Sequence, residues 1–148
     1  MARSVYVTSG SLRFVQNISV AHHVLQADEP PEYGGRDAGA DPHELLLAAL
    51  GACAAITVQM YADRKQWPLE AVHVVLSYEN APAGDRAHSD TKIGMVGGVE
   101  MGISFAGSLS EDQERRLLDI AGRCPIHRML SSPVPIQTKL LAPTSLPM

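Results

Sequence analysis

Two cysteines, Cys53 and Cys124, are the side chains of this 148-residue chain best suited to covalent chemistry. They lie 71 residues apart, too sparse for a disulfide framework, and in a reducing compartment such a pair is either two free thiols or a redox couple. Composition alone leaves inert burial and redox pairing on equal terms. The helical neighbours of Cys53 are Ala49, Leu50, Ile56 and Thr57, none of them charged. Burial among them raises a thiol pKa, so reactivity there requires a cation brought from elsewhere. Cys124 stands between Arg123 and Pro125, with His127 and Arg128 close by. That is an electropositive helix N-terminus, which favours thiolate. Cys124 and His127 also have metal-ligand spacing, but zinc needs two more ligands and no paired motif supplies them, so neither a metal nor a cofactor is expected.

The element that must position Cys53 is written in residues 41 to 66. Asp41 caps, Pro42 fits the first helical position, Glu44 closes a capping box, and Trp67-Pro68 forbids continuation. This predicts about 24 residues, or about 36 Å, of helix. From Leu45 to Ile56 it is apolar on every side, the pattern of a helix buried all round. Thr57, Gln59, Asp63, Arg64 and Lys65 interrupt it, and with its cap and proline stop it reads as a soluble-core helix, not a membrane span. Gly51, two residues before Cys53, permits a close approach by another backbone or a ligand.

Around this helix the pattern predicts an antiparallel meander, with strands over 3–9, 11–18 and 20–27, then a Pro- and Gly-rich loop over 28–40 of the kind that lines sites. His22 and His23 are adjacent in a strand and point to opposite faces. Strands are predicted over 69–78 and about 91–106, the second bent or bulged at Gly94, Gly97, Gly98 and Gly102. Ser110 and Gln113 open a second helix that stops near Gly122, and Pro125 starts a short one with Cys124 at its N-cap. A last strand is predicted over 134–141, followed by a loose tail.

The length is that of one domain over 1–148. Twelve basic against 16 acidic residues, with no basic run, argue against nucleic acid. The opening residues carry no apolar signal region, so a cytoplasmic protein is expected.

The run Pro42 to Cys53 (PHELLLAALGAC), the stretch Met60 to Lys65 followed by Trp67-Pro68-Leu69-Glu70, and Arg123 to Arg128 (RCPIHR) together resemble the OsmC/Ohr family, nearest to its OsmC-like branch. The resemblance implies an α+β fold, with antiparallel sheets packed on a long central helix. It also implies an intertwined homodimer whose two cysteines meet beside an interface pocket, Cys53 attacking a peroxide and Cys124 resolving it. An all-apolar helix that one small chain cannot cover fits such a dimer. The family's peroxidases carry an acidic residue after the motif proline, where this chain has His43, and an activating arginine in the N-terminal hairpin. Arg13 matches that arginine, with Arg36 as the other candidate. His43 would act on Cys53 only through a bridging arginine, and Glu44 reads as a cap. The implied activity is reduction of organic hydroperoxides with a dithiol reductant, in oxidative stress defence. Leu46, Leu50, Ile56 and Met60 are expected to line the pocket. The alternative is a non-catalytic dimer that binds a small apolar ligand or senses redox state.

Overall fold

The computed structural model describes residues 3–80 and 97–142. Its long helix, α1 (Pro42–Lys65), begins where the capping box requires: Asp41 accepts from the Glu44 N–H, and Glu44 accepts from the Asp41 N–H, both at 2.8 Å. It ends on Gln66, whose left-handed backbone (φ 57°) turns its N–H back onto Ala62 and Asp63. Leu50, Ala54, Val58 and Ala62, one turn apart along a single stripe, are its buried residues together with Gly51.

That stripe meets α2 (Glu111–Ala121) and α3 (Pro125–Leu130). Leu117, Ile120, Ala121 and Cys124 complete the core cluster. Ser110 and Gln113 form the second capping box. Beside α1 lies an antiparallel pair, β4 (Leu69–Asn80) and β5 (Gly97–Gly107). Leu76 Cδ1 would stand 2.7 Å from a Cβ on Gly51, so the gap left by this glycine is taken by β4 side chains. The α+β fold is as expected.

At the other end β1 (Tyr6–Ser9), β2 (Gln16–Val20) and β3 (His23–Ala27) form an antiparallel sheet in sequence order. The turn between β1 and β2 is longer than Gly10 alone, and Arg13 and Phe14 sit in it rather than in a strand. His22 lies in the β2–β3 turn, not in a strand, and its ring comes within 4.1 Å of that of His23. The opposite-face expectation fails because Ala21, at φ 53°, breaks the strand before the pair. The loop over 28–40 folds back on the sheet through the Ala27–Ala40 bridge. Gly35 and Gly39 lie where a Cβ would strike the carbonyls of Glu29 and Gln26.

Three further expectations change. The irregularity between β4 and β5 falls between Leu69 and Ala71, opposite Gly107 (φ 130°), while Gly98 and Gly102 keep regular register. Gly94 and the start of that predicted strand lie outside the described residues, as does the loose tail. The predicted strand over 134–141 does not form: Pro133 and Pro135 remove two backbone donors, and the stretch finds no partner edge. Finally, α1 is covered on one side only. Leu46, Ile56 and Met60 are 47%, 51% and 62% exposed, because a single chain supplies cover for one face. By length and composition alone α1 could cross a membrane.

Candidate active site

Cys53 is held at mid-helix on α1, half-buried against the core cluster. One turn on, the Thr57 hydroxyl donates to the Cys53 carbonyl at 2.7 Å. Cys124 stands in extended backbone conformation at the N-cap of α3, fully buried, and its Sγ accepts the His127 N–H at 3.3 Å. Packing of α3 on α1 brings the two thiols close enough for Cys53 to shift the Cys124 pKa, and both pack in one core cluster. Both are free thiols.

The electropositive setting expected of Cys124 does not govern it. Burial pushes its pKa up; the His127 N–H opposes this, and the Cys53 thiol, with its repulsion once charged, adds to it. Two of the neighbouring side chains are engaged elsewhere. Arg123 pairs with Asp119 at 2.9 Å, and the His127 ring lies against the Ser131 hydroxyl at 3.2 Å. What reaches the sulfur is backbone N–H, and against complete burial a partial charge of that size loses. Cys124 is therefore held as a neutral thiol.

The other expected site residues gather away from the thiols. His43 is exposed in the first turn of α1, stacked at 5.3 Å on Tyr78, ten residues and about 15 Å of helix from Cys53. Arg13 lies 4.7 Å over the ring of Phe14. Arg36 gives its backbone N–H to Asp28. Phe14, Tyr33, His43 and Tyr78 line an open cleft of about 730 Å³ between the meander and the start of α1, and Cys53 is not part of it. Leu50 is buried in the core, so it cannot line a pocket beside the exposed Leu46, Ile56 and Met60.

Two features escaped the sequence reading. Asp28, 2% exposed, accepts from the N–H groups of Glu29, Arg36 and Ala38 at 2.8, 3.0 and 3.1 Å. The Ala38 N–H above all, with those of Glu29 and Arg36 and the Arg36 charge, holds its carboxyl below the usual value against the opposing effect of burial. An aspartate between a strand and a glycine-rich loop was the available signal. The second is Tyr61, whose hydroxyl accepts from Arg116 Nε at 3.0 Å across 55 positions of sequence, a pairing no local pattern reveals.

Residues 34–139 match the family model described as OsmC-like protein. No curated protein matches the chain. Among solved structures it is similar to an OsmC-like protein from Mycoplasma pneumoniae, at 16% identity and a TM-score of 0.70 over 88% of each chain. It is also similar to an organic hydroperoxide resistance protein OsmC from Legionella pneumophila, at 19% identity and a TM-score of 0.66 over 88% of this chain and 89% of that one. A third is an organic hydroperoxide resistance protein from Elizabethkingia anophelis with thiocyanate bound, at 15% identity and a TM-score of 0.62 over 87% of each. With the family model spanning most of its length and the same fold in these structures, the chain belongs to the OsmC-like family.

Proposed function

We propose that the protein is a thiol-dependent peroxidase that reduces organic hydroperoxides in oxidative stress defence, working as a cytoplasmic homodimer. The observation that carries this reading is the meeting of Cys53 and Cys124 from distant parts of the chain. Cys53, as thiolate, attacks the terminal peroxide oxygen. The O–O bond breaks, the alkoxide leaves and takes a proton to become the alcohol, and Cys53 becomes a sulfenic acid. The Cys124 thiol then displaces water from it, forming a disulfide that an external dithiol reduces. A buried, neutral Cys124 suits the second step, since it does not compete for peroxide.

A second copy gives the uncovered surfaces a partner. Leu46, Ile56 and Met60 on α1, the exposed strands of the meander, and Ile136 and Leu140, 84% and 100% exposed, are large apolar areas for a monomer to leave in water. Arg13 and His43 sit apart from the thiols of their own chain, so in the dimer the activating guanidinium is supplied across the interface, with Arg36 as the alternative source. Apolar side chains beside Cys53 would receive an alkyl tail at about 0.8 kcal/mol per CH₂. After losses to ordering this leaves a preference for cumene hydroperoxide over hydrogen peroxide of about ten- to a thousand-fold in kcat/KM.

The test is peroxide consumption, with a dithiol, by Cys53→Ser and Cys124→Ser. Cys53→Ser should be silent; Cys124→Ser should react once and stall as a sulfenic or sulfinic acid. Consumption by Cys53→Ser would reverse the roles, and no reaction by the wild type would leave the ligand-binding dimer as the reading.

A further inference from the structure

The last turn of α1 and the end of α2 build a patch that the thiol chemistry does not use. The half-buried ring of Tyr61 is its centre, held edge-on by Trp67 at 5.5 Å. Arg116, Lys65 and Arg64 place their charges 5.4, 5.7 and 5.8 Å from that ring. Arg116 and Arg123 both reach the same oxygen of Asp119 at 2.9 Å. Two of the four cations thus share one carboxylate. Arg64 and Lys65 make no ion pair among the described residues. Asp63 lines a groove with Arg64 without pairing to it, and lies more than half a turn from Lys65. On a chain of net charge −4 this concentration of positive charge needs a reason. Complementing the negative end of the α1 dipole accounts for Arg64 and Lys65, but not for Arg116 and Arg123, which come from α2 and the turn after it. All four are exposed.

We infer that this patch docks an acidic segment of a partner protein, its carboxylates pairing with Arg64, Lys65 and the outer guanidinium edges of Arg116 and Arg123. Clustered charge of one sign selects partners of the other and speeds their encounter. A nucleic-acid strand fits less well: four cations on one side are a short track, and the Tyr61 and Trp67 rings pack on each other and the core instead of offering a stacking platform. The inference goes beyond the peroxidase reading and stands without it, since no thiol takes part.

The probe is a labelled oligoglutamate peptide, titrated by fluorescence anisotropy into the full chain at low ionic strength. Binding should weaken steeply with salt. The double variant Arg64→Glu with Lys65→Glu should bind about tenfold more weakly or worse, and Arg64→Gln with Lys65→Gln should fall between. Arg64 and Lys65 lie on the surface, so both variants should keep the wild-type thermal transition, and peroxide consumption with a small dithiol should not change. An oligoglutamate that fails to bind the wild type, or binds the double variant equally well, overturns the proposal. Tighter binding of oligothymidylate of equal charge would overturn it in favour of a nucleic-acid surface.

Discussion

The two halves of the molecule solve the burial problem differently. The helical body closes its own core: Ala54, Val58, Leu117 and Ala121 of α1 and α2, and Cys124 at the N-cap of α3, are 0% exposed, and β4 leans into the gap at Gly51. The meander closes little: Val15 and Ala27 are its buried apolar residues among those described. Its strands are exposed at most positions, Val24 stays 74% in solvent, and it is tied down through the loop that Asp28 staples with backbone hydrogen bonds. A sheet that cannot cover either face by itself is built to be covered by something else.

The contrast can be broken by truncation. Leu117→Ala should cost about 2–5 kcal/mol in urea unfolding, because it opens a cavity where nothing can collapse to fill it. Val24→Ala should cost about 1 kcal/mol per chain, expressed as weaker dimerisation in sedimentation equilibrium at low micromolar concentration. A folded, monodisperse monomer of the wild type would end the dimer account, since nothing would then cover the meander. Smaller still is Gly51→Ala. The helix gains up to about 1 kcal/mol and the contact with the movable end of Leu76 costs about 1–3, so a net loss of about 1 kcal/mol should appear in the same unfolding assay.

The two halves should also fail at opposite ends of the pH scale. Asp28 has a lowered pKa, so its stabilisation is present above its ordinary value of 3.8 and is lost as pH falls below it. Exchange of the Glu29, Arg36 and Ala38 amides should quicken there, and Asp28→Asn should show the fast rates already at neutral pH. Cys124 has a raised pKa, so its contribution is present below the ordinary 9.0 and is lost as pH climbs past it. Wild-type unfolding midpoints should drop above that pH more than those of Cys124→Ala.

The sequence was most legible where structure is local. The capping boxes at Asp41 and Ser110, the proline behind Cys124 and the stop at Trp67-Pro68 all act within a few residues, and each element they delimit is present. It was least legible where the outcome is a balance between distant groups. Arg123 and His127 beside Cys124 signalled a thiolate, but whether they reach the sulfur depends on Asp119 and Ser131, and burial decided the matter. Pro133 and Pro135 were visible and carried the answer for the last predicted strand, since each removes a backbone donor. Arg13 and His43 were found by resemblance; the single chain places His43 in the cleft and Arg13 over the ring of Phe14, which lines that cleft.

The most direct test of the central claim is to treat the reduced protein with one equivalent of cumene hydroperoxide, quench with an alkylating agent, and map the products by peptide mass spectrometry. The account predicts rapid loss of both free thiols and a disulfide joining Cys53 to Cys124 within one chain. Two alkylatable thiols surviving in every chain, or a disulfide joining Cys53 of one chain to Cys53 of another, would contradict it.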